Sequence, residues 1–441
     1  MNDKFFFVHR PLDGNGSITA RVTSLTGGVG LEPGQSAPGA GNDLPPWAKV
    51  GVIVKDSTRP GSPYAAVMVT AAHGVRMQDN YTHDTAGSAG AATGAPPRWL
   101  RLSRAGGTLT GYQSADGTHW SPVGTASLTG LPTTVQAGLF TAFPETAAPG
   151  QTGIPTRGAG VFDHVSVESA WPSQAWSGDL VGAGTGAAIQ SGPAAAPGGF
   201  THSGGAFTVA GSGTGDIGPY VPPADKSKNG LELGAVIGLI VVIALGVLFI
   251  TTEYRRGLIR TTLAANPRRG RVLAAKAIVI GLVTFAAGLA AAAVALPVIE
   301  RLLSSHGYGP PRFVTVPLAS GTGLRLVAGT AALLALAAVL ALAAGAILRR
   351  SAGAVAAVIV LLVLPALLAL ELPQDAAAWL LRLTPAAAFS VQMTVPRYPQ
   401  VACYVARGCD PLPPWAGLAV LGGYTVAALV LAIFLLRRRD V

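Results

Sequence analysis

Few residues in this 441-residue chain stand in a pattern that could make or break bonds. Asp163 and Glu168 are two acids close in sequence, and general acid/base work needs paired carboxylates. Five positions apart in an extended strand, they are expected to point to opposite faces. His9, His73, His83, His119, His164 and His202 show no HxH or HxxxH spacing, so they do not read as metal ligands. Gly213 to Gly218 matches GxGxxG, but no strand-then-helix unit surrounds it, so it reads as a flexible connector. No GxxxxGK(S/T) string provides a phosphate cradle. The residues therefore point to no catalytic, cofactor or metal site. Three constellations remain. Trp99 and Trp120 could stack on a sugar ring. Cys403 and Cys409 could close a small loop in an oxidising compartment. Arg255, Arg256, Arg260, Arg268, Arg269, Arg271 and Lys276 crowd one stretch against a single acid, Glu253. Such a stretch could touch anionic lipid or dock a partner.

The elements flanking the basic stretch are apolar. Leu233–Ile250 gives 18 uncharged residues before it and Ala277–Ile299 gives 23 after it. Each can cross a hydrocarbon core of roughly 30 Å at about 1.5 Å per residue. Further runs lie at Leu326–Leu348, Ala352–Leu370 and Trp415–Leu436. Five spans are expected, over 231–251, 274–299, 324–348, 352–371 and 415–436. Lys and Arg resist translocation, so a short basic loop marks the cytoplasmic side of a bilayer. Arg349-Arg350 and Arg437–Arg439 then fall on the same side, for 12 basic residues in all. The opposite loops, 300–325 and 371–414, carry six arginines over a greater length. An odd number of spans puts the N-terminal half outside a cell membrane and the C-terminus in the cytoplasm. Cys403 and Cys409 then lie outside. The net charge of +10 is concentrated in such short loops, so no nucleic-acid partner is expected.

Residues 1–230 have a different texture, rich in Gly, Pro, Thr and Ser. Apolar residues alternate in Ser17–Thr23 and at Val50, Val52 and Val54, as in half-buried strands. Tyr64–Thr70 reads as a buried strand. Trp99–Arg104 and Thr108–Ser114 read as a hairpin across Gly106-Gly107. Val135–Phe140 and Gly160–Val167 add two strands. Recurring short strands with turn signals predict an antiparallel sandwich. The expected organisation is an all-β sandwich over 1–168 and a Gly/Pro/Ser-rich tether over 169–230, with room for one strand pair around Gly199–Val209. An all-α polytopic membrane domain follows over 231–441.

The segments FFFVHRPLDGNGSITARVTSL, WAKVGVIVKDSTRPGSPYAAVMVT and RWLRLSRAGGTLTGYQSADGTHW resemble the concanavalin-like lectin/glucanase sandwich of bacterial surface proteins. The resemblance covers roughly residues 1–168. It implies a jelly-roll sandwich that could present a face to cell-surface glycan. It does not imply catalysis, because glucanases of that superfamily place acids on alternate positions of one strand and no strand here does. TTEYRRGLIRTTLAANPRRGRVLAAKAIV, from Thr251, and LTPAAAF, Leu383–Phe389, resemble type-2 exporter permeases of ATP-binding-cassette (ABC) transporters, especially actinobacterial ones. This resemblance covers 231–441. It implies a membrane subunit served by a separate cytoplasmic ABC ATPase and by a second permease chain, identical or different. On it, Glu253, Tyr254, Arg255, Arg256 and Arg260 fall on the loop helix that seats in the ATPase. Such permeases usually have six spans, and Met1–Arg10 is no signal peptide. A further membrane helix ahead of Met1 is therefore expected.

The expected function is ABC exporter permease, with no enzymatic activity in this chain. The rivals are a membrane-anchored carbohydrate-binding surface protein without transport activity and a multi-span accessory or sensor subunit. Glu232, Glu300 and Glu371 sit only at span edges, which favours an apolar, amphipathic, lipid-like or polymeric cargo over a small ion.

Overall fold

The computed structural model describes residues 1–29, 44–89, 98–148, 151–169, 174–182, 198–211, 215–219, 226–255, 269–306, 316–394, 396–401, 403, 405 and 408–438. Two compact units emerge: Met1–Val221 with Arg397–Ala402, and Pro222–Pro396 with Cys403–Val441.

In the first unit two antiparallel sheets form a sandwich. One sheet has the order β14 (Ser177–Val181), β1 (Asn2–Asp13), β10 (Thr134–Ala142), β3 (Lys49–Lys55), β4 (Tyr64–Thr70), β5 (Val75–Asp79), β6 (His83–Ala86), and β17 (Asp216–Gly218) also pairs with β1. The other has the order β15 (Gly199–Ser203), β16 (Ala206–Gly211), β13 (Thr156–Glu168), β2 (Gly16–Val29), β7 (Arg98–Ala105), β8 (Thr108–Ser114), β9 (Ser121–Ser127). A small separate pair joins β11 (Thr146–Ala148) to β12 (Gln151–Ile154).

Alternation does its work in the second sheet. Leu100 and Leu102 of β7 enter the core between the sheets, while Trp99, Arg101 and Ser103 face away. The first sheet differs, since β3 and β4 are buried along their whole length. Val50, Val52 and Val54 join the inter-sheet core, and Ile53 joins Phe5, Phe7, Tyr64, Met68 and Phe140 in a second cluster. Burial of both faces traps Lys49 and Lys55, each fully buried. A buried ammonium needs a carboxylate partner. Lys49 Nζ lies 2.7 Å from Asp216 Oδ1 and Lys55 Nζ lies 2.9 Å from Asp3 Oδ2.

Within the expected tether over 169–230 the strand pair around Gly199–Val209 forms as β15 and β16, while β14 and β17 are strands that were not expected, and all four extend the two sheets. Asp216–Gly218, the end of the GxGxxG string, is a strand and not a connector, while Gly213 lies outside the described residues. The reason is non-local. Asp216 neutralises a lysine far back in the chain, and strands this short carry no periodicity of their own. Residues 397–401 also belong to this unit, and Gln400, almost fully buried, donates from Nε2 to the Tyr81 carbonyl at 3.1 Å.

The second unit is helical: α1 (Lys226–Arg255), α2 (Arg269–Ser305), α3 (Gly321–Leu348), α4 (Ser351–Glu371), α5 (Gln374–Leu383), a 3-10 segment at Pro385–Gln392, and α6 (Pro414–Arg438). Among the described residues five of these are long and apolar enough to cross a membrane: Gly230–Arg255, Gly270–Ser305, Gly321–Leu348, Ser351–Glu371 and Pro414–Arg438. In α3, 61% of the apolar stretch is buried, against 22–33% in the others, so α3 is the hub. Small residues make that possible by letting backbones approach closely. A Cβ on Gly246 of α1 would overlap the Ala338 carbonyl of α3, and one on Gly288 of α2 would sit 3.2 Å from Ala331 Cα. The LTPAAAF string ends in the 3-10 segment, which is buried throughout and packs on α6. There a Cβ on Gly417 would overlap the Ala387 carbonyl and Ser390 Oγ. We expect Gly417→Ala to lower stability by about 1–3 kcal/mol, because backbone must shift to admit the methyl group. Thermal unfolding of the purified full chain measures this, and an unchanged midpoint would show that the approach is not tight.

Candidate functional site

The basic ends of the helices meet at one end of the bundle. α1 finishes in Thr251, Thr252, Glu253, Tyr254 and Arg255, with both threonine hydroxyls donating to carbonyls one turn back. Ile250 of α1 packs with Leu273 and Ala277 of α2, Leu342, Ala343 and Ala346 of α3, and Ala432 and Leu436 of α6. That apolar plug fixes what lies beyond it. Glu253 Oε1 accepts from Lys276 Nζ of α2 at 2.5 Å, and the ammonium lies 4.9 Å from the Phe249 ring centre. Arg349, just past α3, puts its guanidinium carbon 5.2 Å over the Tyr254 ring. Its backbone is left-handed (φ 55°), and its N–H donates to the Gly345 carbonyl at 2.9 Å, closing the helix. Arg437 of α6 comes near the start of α2, where a Cβ on Gly270 would sit 3.6 Å from Arg437 Nη2.

Glu253 and Tyr254 therefore face inward and organise Lys276, which the sequence placed in the basic stretch opposite Glu253, and Arg349, which it used only for topology. The doubled arginine at the α3–α4 break was the available signal. Arg255 ends α1, exposed. Arg256 and Arg260 lie outside the described residues. Glu253 Oε2 has no hydrogen-bond partner among the described residues, so its carboxylate depends on Lys276.

Trp99 and Trp120 share the outer face of the second sheet. Arg21 lies 5.6 Å over the Trp99 ring, His164 lies 5.1 Å from it, and a Cβ on Gly117 would sit 2.7 Å from Trp99 Cε2. Trp120 carries the Arg101 guanidinium 4.0 Å over its ring and donates from Nε1 to the Gly117 carbonyl. Asp163 accepts twice from Arg21. The pairing register breaks between Asp163 and Ser166, with His164 left-handed at φ 48°. That bulge brings Asp163 and Glu168 to one face, where the sequence reading had them opposed. Their partners Arg21 and Ser17 stand four residues apart in β2, about 13 Å along a strand, too far for a carboxylate pair to share one bond. Among the described residues no group of three His, Cys, Asp or Glu side chains could hold a metal. Cys403 and Cys409 are joined in a disulfide, Cα to Cα 5.2 Å.

Two predictions follow from these contacts. Lys276→Met leaves Glu253 unpaired at a mostly buried position and should cost about 2 kcal/mol in thermal unfolding, which Glu253→Gln in the same chain should largely restore. No loss in the single variant would show the pair to be idle. At the sandwich, the Arg21 hydrogen bonds hold the Asp163 carboxyl below its usual range, against burial, which acts the other way. A depressed carboxylate contributes fully above its unfolded pKa, near ~3.9, and loses that contribution as pH falls through the folded value. Below about pH 4, wild type should therefore lose stability more steeply than Asp163→Asn, as read by tryptophan fluorescence.

Comparison with known proteins gives one decisive match. The model of the family described as ABC-2 family transporter protein matches residues 66–441. No curated protein matches the chain. Among solved structures, scytalido-glutamic peptidase with a transition-state analogue inhibitor is 8% identical, covers 47% of this chain and 98% of its own, and has a TM-score of 0.30. SCP-B of the eqolisin peptidases, with the tripeptide Ala-Ile-His, is 10% identical, with coverages of 47% and 98% and a TM-score of 0.28. A functionally unknown protein from Saccharomyces cerevisiae is 15% identical, with coverages of 39% and 72% and a TM-score of 0.22. Such TM-scores carry nothing about fold or activity. The family match spans most of the chain and takes in all five apolar helices, so this is a multi-pass membrane protein that belongs to the ABC-2 transporter family.

Proposed function

We propose that the chain is the permease subunit of an ABC exporter, moved by a separate cytoplasmic ATPase and paired with a second permease chain. The observation that carries this reading is the gathering of basic helix ends, α1 with Lys276, Arg349 and the end of α6, around Glu253 and Tyr254. Clustered cations on one end of a bundle favour that end in the cytoplasm. The sandwich and the Cys403–Cys409 loop then face the exterior, and the C-terminus faces the cytoplasm. Glu253, Tyr254, Arg255, Arg256 and Arg260 are the residues that would seat the ATPase. The packing of Glu253 and Tyr254 gives that seat leverage. A push on the end of α1 reaches α2 through the Glu253–Lys276 pair and reaches the hub helix through Tyr254 and Arg349. Packed helices that shift as bodies could then convert ATPase closure into alternate openings.

Arg256→Glu with Arg260→Glu is expected to abolish co-purification of the ATPase while membrane insertion stays intact; retained association would refute the docking role. Protease treatment of intact cells tests the orientation. Cleavage in the sandwich with the basic end protected is expected, and the opposite pattern would overturn it.

A further inference from the structure

Buried polar atoms without partners gather at the end of the helical bundle opposite Glu253. Arg325 stands in the second turn of α3, the hub helix. Its Nη2 donates to the Met393 carbonyl, while its Nε is buried and has no hydrogen-bond partner. Gln392, fully buried at the end of the 3-10 segment, spends Nε2 on Thr330 Oγ1 of α3 at 3.0 Å. Its Oε1 is unpartnered, and so is the buried hydroxyl of Thr394, two residues on. The two ends of an amide interchange by a half-turn, and with Thr330 donating to Oε1 the free end becomes an N–H donor. Gly329 makes the crossing of the two segments tight, since a Cβ there would overlap Val391 Cγ2.

Native folds rarely leave three such atoms idle in one place. No counter-charge answers the guanidinium, because among the described residues no carboxylate pairs with Arg325. The acids at this end of the bundle are engaged or lie at the surface: Glu300 of α2 accepts from the Val316 N–H at 2.5 Å, and Glu371 and Asp375 are exposed. One uncompensated positive charge with two further donors beside it selects an anion. Arginine within an apolar span is costly and is kept for function. Arg325 is only half-buried, so a ligand reaches it from the helix surface. That surface is apolar, with Leu324 beside it and Leu318 ahead of α3 both exposed. A free inorganic anion has no use for such flanks, whereas a lipid-like molecule does.

We propose that Arg325, Gln392 and Thr394 bind the anionic headgroup, phosphate or carboxylate, of a lipid-like amphiphile whose apolar chain lies along Leu318 and Leu324. The headgroup takes up the Nε–H, the hydroxyl and the amide that the fold leaves unbonded. As a cargo site this rests on the permease reading; as a binding site it stands on these residues alone.

The full chain in a neutral maltoside detergent can be given phosphatidylglycerol, phosphatidylcholine, dodecyl phosphate, laurate or inorganic phosphate, and the bound molecules counted by native mass spectrometry. One anionic amphiphile is expected to be held about tenfold more tightly than phosphatidylcholine. Dodecyl phosphate against laurate distinguishes phosphate from carboxylate as the preferred headgroup. Arg325→Gln should weaken that one molecule about tenfold, while anionic lipid elsewhere on the bundle stays bound and ATPase co-purification is unchanged. Failure of the wild-type chain to retain an ATPase would strike the permease reading and leave the binding result standing. Thr394→Val removes a hydroxyl that has no partner in the fold, so it should weaken binding about threefold without lowering the melting midpoint. Unchanged affinity in either variant, or equal retention of phosphatidylcholine, would overturn the proposal. So would inorganic phosphate binding as tightly as dodecyl phosphate, or a density map of the lipid-loaded chain with water alone at Arg325 Nε.

Discussion

A charged side chain is costly in a place water cannot reach unless an opposite charge or a hydrogen bond goes with it. In the helical unit this constraint clears the five long helices of charge and drives arginine and lysine to their ends. Once there, the charges are not left loose. Glu253 holds Lys276, Tyr254 receives Arg349, and the apolar plug beneath them locks four helices together. The ends of these four helices thus form a connected surface.

The same constraint operates in the sandwich. Packing both faces of the first sheet buries Lys49 and Lys55 on β3, and the fold answers with Asp216 and Asp3. Asp3 also accepts from Gly61 N–H and Tyr81 O–H, so its Oδ2 is a junction of three segments. Burial lowers the Lys55 pKa and raises that of Tyr81, opposite directions with one cause, since each charged form is disfavoured. Asn80 and Tyr81 both adopt left-handed backbone at the turn that delivers this hydroxyl, and Gln400 bonds to the same residue from a loop that precedes α6 in sequence. Through Tyr81, whose hydroxyl bonds to Asp3 and whose carbonyl accepts from Gln400, the start of β1 is linked to the segment 397–401 without any long stretch of regular pairing.

Small residues supply the complementary device. Where charge fixes the ends, glycine and alanine fix the distances, as at Gly246 against α3 and Gly417 against the buried 3-10 segment. Apolar helices in lipid gain little from hydrophobicity alone, so close backbone approach has to provide the contact. The unusually high burial of α3 is the outcome.

The sequence by itself determined the division into a β-rich half and an apolar helical half, the existence of five long helices, and the sandwich strands β2, β3, β4, β7, β8, β10 and β13, but not β1, β5, β6 or β9. Those features rest on local periodicity and run length, which need no partner to be read. Charge density marked the arginines, Lys276 and the lone acid Glu253, while Tyr254 entered the site only through the resemblance to exporter permeases. Tertiary structure decided everything that depends on distant pairing. β14 and β17 became strands by pairing with β1, and Asp216 of β17 neutralises Lys49, whereas the β15–β16 pair lies where the sequence left room for one. A bulge at His164 reversed the expected facing of Asp163 and Glu168. Trp99 and Trp120, read as possible platforms for a sugar ring, are partners of Arg21 and Arg101: alternation in β2 and β7 brings Arg21 and Trp99 onto one face, and the turn before β9 lays Trp120 against Arg101. Spacing along the chain records neither a register break nor a counter-charge more than a hundred residues away, and both are set only when the sheets close.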